Sequence, residues 1–410
     1  MSNCDYLYLL CNIQWMARNY LERGNAGMHP NLARIMLEHT VSRKVAEIKA
    51  NPQKGIQGLV ELLLSLIQSI PKTVKDMVAS ALRDEGNPYY QMLIRLIMQT
   101  DLSYLQKFGI SLGYNSLTLG VKTIREYAAK YGYVFPWMLL IEFGVDVDGG
   151  NDWDAYAYLQ AGDIHNIVEQ GKVLGIYTYA LLVRTWDDLL VDVFQKHQDC
   201  AFILILPYGS MQREIIMALR QQYNIMLALE SRLDQDRQDW STNQEHLSFN
   251  NVLPLLRQYG MLYACYTLYH DRVVEPILTD QWVTDINHWQ SVFAFLLTAG
   301  ECSTECAVNV QDYVHHYLWQ PRYPVLQTDL YECLRVINQW IFGEGSWWGV
   351  LGVQVDGTLL VGKQSQDAVD GCTRHYVDYL VYPDYNVRQM PLIEVLKRGI
   401  CGSQHRGQTP

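Results

Sequence analysis

Residues 135–159, FPWMLLIEFGVDVDGGNDWDAYAYL, set the reading of the whole chain. Trp137–Phe143 is a short apolar run of strand type, and it ends in an acidic, glycine-containing loop bearing Asp146, Asp148, Asn151, Asp152 and Asp154. Before this stretch every apolar pattern is helical: Leu32, Ile35 and Met36, then Leu59, Leu62, Leu63 and Leu66, recur at three- and four-residue spacing. After it the period changes. Strand-like runs at Ile176–Val183, Ala201–Leu206, Ile225–Glu230, Leu262–Tyr269 and Ser291–Leu297 alternate with helical ones at Asp163–Leu174, Asp187–His197, Met211–Gln222, Asn250–Tyr259 and Asp280–Trp289. Such alternation predicts βαβ crossovers and a parallel sheet. Six strand–helix units predict a partial α/β barrel, and helices follow at Val308–Trp319 and Leu330–Phe342. Near the end, Asp356-Gly357 between two apolar runs (residues 350–363) is a hairpin signal, and Met390–Gly399 reads as a short closing helix.

Composition excludes several classes. The chain has 410 residues, 49% of them hydrophobic, so it is long enough for a large core plus an accessory domain. A formal net charge of −11 without a Lys/Arg run argues against nucleic acid as a partner. The apolar run Leu59–Ile70 is too short to span a bilayer, so no membrane association is expected. The nine cysteines are scattered and odd in number, the pattern of reduced thiols in a cytoplasm, and no signal peptide is read at the start.

In a barrel, ligands meet the chain where strands end. That rule selects Glu142, Arg184, Glu230, Tyr269 and His270 as candidate ligand-binding residues, with Tyr208 and Glu301 in equivalent places. The preferred reading of these positions is ordinary polar caps of strands. The acidic loop after the first strand lacks the closing glutamate of an EF-hand. It is read as a solvated loop, and no metal site is assigned. ECSTEC (residues 301–306) offers a Cys302/Cys306 pair without a third cysteine at residue 309.

Three blocks resemble a known family. AAKYGYVFPWMLLIEF (128–143), IVEQGKVLGIYTYALLV (167–183) and QKHQDCAFILIL (195–206) resemble radical-SAM enzymes, and in particular a bacterial subgroup with a helical N-terminal extension. VQVDGTLLVG (353–362) and NVRQMPLIEVLKRG (386–399) resemble that subgroup's C-terminal hairpin and closing helix. The resemblance implies a partial (β/α)6-type barrel over residues 131–343, a helical N-terminal domain over 1–130 and a hairpin-and-helix extension over 344–410. It also implies a Cys-x-x-x-Cys-x-x-Cys loop after the first strand, which holds a [4Fe–4S] cluster that binds S-adenosylmethionine. Here that place reads GVDVDGGNDWDAYAY (144–158), and no cysteine stands between Cys11 and Cys200. The Gly-Gly-Glu-Pro-like turn of the family is matched by YALLVRTWDDLL (179–190), without glycine.

The expectation is therefore a catalytically degenerate, radical-SAM-like pseudoenzyme from which the iron–sulfur cluster and S-adenosylmethionine have been lost. It would serve as a binding, scaffold or regulatory partner of a protein or peptide, possible partners including an active radical-SAM relative, with room for a small polar ligand at the rim. Two alternatives stay open. One is an enzyme of another class that uses rim carboxylates or His270 for acid–base chemistry; the other is a radical-SAM enzyme whose cluster is displaced to Cys302 and Cys306.

Overall fold

The computed structural model describes residues 30–52, 55–56, 58, 76, 79–132, 135–144, 158–207, 210–231, 233, 249–298, 302–330, 333, 337, 341, 351–369 and 372–397. The acidic loop with Asp146, Asp148 and Asp152 lies outside the described residues, as do Tyr208 and Glu301.

The helical part begins with α1 (Pro30–Ala50), α2 (Pro88–Gln99) and α3 (Leu102–Ile110), continues as a wider π-helical stretch over Ser111–Gly120, and ends with α4 (Val121–Tyr131). Local chemistry sets these starts and stops. The Asn87 side chain accepts the Tyr89 amide ahead of Pro88, and Asp101 accepts the amide of Ser103. Each meets an amide that the first helical turn leaves without a partner. Val45, Ile48, Ile56, Ala79, Tyr90 and Ile97 form a small core of their own. From Tyr104 onward, the helices join the main core.

Seven parallel strands follow in sequential order: β1 (Met138–Phe143), β2 (Thr178–Val183), β3 (Ala201–Leu206), β4 (Ile225–Glu230), β5 (Tyr263–Tyr269), β6 (Phe293–Thr298) and β7 (Leu326–Asp329). Between them run α5 (Ala161–Leu174), α6 (Leu189–Lys196), α7 (Arg213–Leu219), α8 (Phe249–Gln258), α9 (Glu275–Leu278), α10 (Gln281–His288) and α11 (Thr304–Trp319). Right-handed crossovers between sequential neighbours put the connecting helices on one face of the sheet. Side chains alternate accordingly: Leu139, Ile141, Tyr179, Leu181, Phe202 and Leu204 are sealed on the helix-packed face. On the other face Leu140, Glu142, Leu182 and Glu230 are only half-buried, and Leu268 is 41% exposed.

The sequence expectations hold for six of these strands to within two residues. The seventh was not expected. Its LQTD sequence carries no apolar signal, because it buries Gln327 and Asp329 against partners on other elements. The hairpin signal at Asp356-Gly357 is matched by β8 (Leu351–Val353) and β9 (Thr358–Val369), with Gly357 at a φ of 89° that favours glycine. The reading stopped short there. β9 runs on to Val369 and pairs antiparallel with β10 (Cys372–Asn386), a strand the sequence reading left out. β8 also pairs in parallel with β1, Leu140 opposite Gly352, so the C-terminal extension is part of the same ten-stranded sheet. The closing helix, 392–397, docks on α5, where Gln170 accepts the Leu392 amide at 2.7 Å.

The helical part closes one end of the sheet. Ser116 donates to the Trp137 carbonyl before β1, and Gly120 packs on Gly175 before β2. Asn115 donates to the Asp199 carbonyl before β3, and Tyr104 to that of Leu219 ahead of β4. The Asp101 amide donates to Gly260 before β5, Arg95 to the Asn287 side chain before β6, and Tyr89 to the Leu318 carbonyl before β7. All seven parallel strands thus have helical contacts where they begin. None of these contacts touches the ends where strands finish. Among the described residues, no helix is long and apolar enough to cross a membrane.

Candidate functional site at the carboxyl ends of the strands

In parallel α/β sheets, chemistry gathers outside the carboxyl ends of the strands. With the amino ends covered, that end carries the candidate residues. Glu142, the next-to-last residue of β1, and Glu230, the last of β4, lie on the half-buried face, and Arg184 follows β2. Burial pushes the Glu142 carboxyl up from the ordinary carboxylate value; the Arg184 guanidinium opposes this and the Asp356 carboxylate reinforces it. Tyr266 of β5 stands opposite Glu230 in the strand register. Burial raises its phenol far above the usual range, and the charge of Glu230 and a hydrogen bond to it act in the same direction. Arg184 acts on this phenol with the opposite sign. Glu142, Arg184, Glu230 and Tyr266 therefore form one electrostatic group spread across β1 to β5.

Tyr269 is not part of it. Strand alternation turns this residue to the helix-packed face, where it is fully buried and donates to Asp329 Oδ2 at 2.9 Å. It ties β5 to β7. His270 lies just past β5 and accepts the Arg272 amide at 3.4 Å, a local contact that does not reach the glutamates. Of the five residues selected from sequence, three are brought together and two are not. Asp356 was missed, because only the pairing of β8 with β1 brings the hairpin turn beside Glu142. Tyr266 was missed because a tyrosine inside an apolar strand gives no signal of its partner.

A second group lies at the same end of β5 and β6. Asp271, Cys302 and Cys306 have ligand atoms within 4.8 Å of one another. Asp271 accepts the Ser303 amide at 2.8 Å and also the Ser303 hydroxyl, while Ser303 caps α11 by accepting the Cys306 amide. Burial pushes the Cys302 thiol up to about 12 and raises that of Cys306. Both are thiols at neutral pH. Two thiols and a carboxylate already engaged as a capping acceptor do not fit a [4Fe–4S] cluster, which is held by more thiolates than this group supplies.

No protein-family model and no curated protein matches the chain. Among solved structures it is similar to SuiB of Streptococcus suis. With SuiB bound to S-adenosylmethionine the TM-score is 0.45 at 13% identity, over 67% of this chain and 66% of that one. With SuiB bound to its precursor peptide SuiA the TM-score is 0.42 at 13% identity, over 58% and 62%. The chain thus spans just under two thirds of SuiB's length. At 13% identity and these TM-scores, the likeness carries no statement about what this chain binds or does.

One expectation is corrected. The cofactors were expected to be lost, yet a chain of similar fold binds S-adenosylmethionine. The loop on which the loss was inferred, moreover, falls within residues 145–157, outside the described ones. The expectation of cofactor loss is withdrawn.

The raised Glu142 carboxyl has a measurable consequence. The folded protein holds this proton to higher pH than the unfolded chain, so ionising Glu142 costs stability at neutral pH. Glu142→Gln is expected to raise the urea midpoint modestly at pH 7, with the gain vanishing below pH about 4, where the unfolded carboxyl is also protonated. An unchanged or lower midpoint at pH 7 would contradict the assignment.

Proposed function

We propose that the protein binds a polypeptide segment along the half-buried face of the sheet, its cationic group received by Glu142 and Glu230. The observation that carries this reading is the pairing of those carboxylates with exposed apolar surface, Leu268 above all, at the end of the sheet that, among the described residues, the N-terminal helices do not contact. A half-buried carboxylate rewards a cationic partner more than a fully solvated one does, because screening by water is weaker there. A formal net charge of −11 favours the same partner at longer range. A peptide also suits the apolar strip between the two glutamates, since alternate side chains can seat on it while the backbone remains solvated. The scaffold or regulatory role belongs to this reading: a partner is held, and no chemical step is required.

Selection of a random peptide display library on the purified full chain tests it. Enrichment of basic peptides is expected, with binding that weakens as salt rises and falls at least about tenfold in E142Q/E230Q. A library that shows no enrichment, or enriched peptides that bind the double variant equally well, would overturn the reading. A second reading rests on the raised carboxyl of Glu142, since a carboxyl that burial holds in its protonated form to higher pH is a better general acid. It predicts turnover of a small molecule that Glu142→Gln abolishes and Glu230→Gln only slows.

A further inference from the structure

Away from the rim, His165, Glu169 and His197 converge. His165 and Glu169 stand one turn apart on α5, so both side chains lie on one face of the helix. His197 follows α6 and is fully buried. Its Nε2 lies 2.8 Å from His165 Nδ1, and the two rings sit 4.9 Å apart at 32°. Its Nδ1 has the Glu169 carboxylate 3.3 Å away but off the hydrogen-bonding direction, and no hydrogen-bond partner in the structure. A sealed imidazole whose one nitrogen meets another imidazole and whose other nitrogen is orphaned is poorly explained as packing.

We propose that His165, His197 and Glu169 form a binding site for a divalent metal ion of the zinc class, independent of the rim reading. Two imidazole nitrogens and a glutamate oxygen are a recurrent zinc donor set that leaves a fourth position for water. Nitrogens bound to one tetrahedral zinc stand about 3.3 Å apart, so the present pair must open by roughly half an ångström. His165 is half-buried on a helix surface and Glu169 is exposed, so both can adjust while His197 stays fixed.

One group competes. Lys172 Nζ sits 3.1 Å from Glu169 and 3.5 Å from Asp199, so a metal must draw Glu169 away and leave the lysine to Asp199. The site adjoins the turn at which Ser111 and Asn115 of the helical part meet the carbonyls of Gln198 and Asp199. A bound ion would therefore pin α5 to the covered end of the sheet.

The test is titration of the chelator-stripped full chain with Zn2+ by calorimetry, and with Co2+ by visible absorption. One ion per chain is expected, in a cobalt complex without thiolate-to-metal charge transfer. His165→Ala and Glu169→Gln should each weaken binding at least about tenfold, while Lys172→Met should tighten it several-fold by removing the competing cation. Because His165 and Glu169 are not buried, their variants should keep the metal-free urea midpoint, which separates loss of ligation from loss of fold. Absence of saturable binding, binding unchanged in both variants, or a thiolate band removed by Cys302→Ser would each overturn the proposal.

Discussion

Trp282→Ala is expected to be among the most damaging single replacements in the chain, lowering stability by about 3–5 kcal/mol. Trp282 lies in the first turn of α10, is 1% exposed, and is among the largest side chains fully enclosed by the fold. Its truncation leaves a cavity that the parallel sheet on one side and the helices on the other cannot collapse to fill. It also removes a polar link. Trp282 Nε1 donates at 2.9 Å to Ser231 Oγ, which itself donates to the Tyr266 carbonyl at 3.1 Å. Trp282→Phe separates the two effects: it keeps most of the volume and should cost about 1 kcal/mol for the lost hydrogen bond. Since Tyr266 bonds Glu230, both variants should also weaken any ligand that depends on the rim glutamates. An alanine variant that unfolds within about 1 kcal/mol of the parent would show that the site is looser than the packing indicates.

Gly175→Ala is expected to cost about 2–4 kcal/mol, large for a single methyl group. Gly175 closes α5 at a φ of 92°, a region that L side chains enter at a cost. A Cβ there would also run into the Gly120 carbonyl, backbone that cannot rotate aside. The two glycines bring the helical part against the start of β2, so the substitution should loosen the covered end as well as strain the turn. Gly162→Ala, in the first turn of α5 with nothing within 4 Å of its added carbon, is the control and should be neutral or slightly stabilising. Urea midpoints for the pair decide the matter; equal values would remove the close approach as the cause. Hydrogen exchange at the β1 to β3 amides should rise in Gly175→Ala alone.

The repeating part of this protein is legible in the chain alone. Runs such as AFILIL and IMLALE are bounded by helices of regular period, and a strand buried on both faces must be apolar along its length, so its position is written locally. The same holds for the turn at Asp356-Gly357, where Gly357 alone meets the dihedral requirement. Rim positions follow as a corollary, which places Glu142, Arg184 and Glu230 at the carboxyl ends of strands. Tertiary structure decided everything that depends on a distant partner. β7 is polar because the Tyr269 and Tyr313 hydroxyls reach Asp329 and the Gln327 side-chain carbonyl oxygen across the fold. β10 exists as a strand because β9 pairs with it residue by residue, whatever its side-chain pattern. Tyr269 faces away from the rim because strand register fixes its direction, and Asp356 faces Glu142 because β8 pairs with β1. His165 and His197, 32 residues apart, meet only because α5 and α6 pack side by side. Local periodicity reports which face of an element is buried; it carries no record of what that face is buried against.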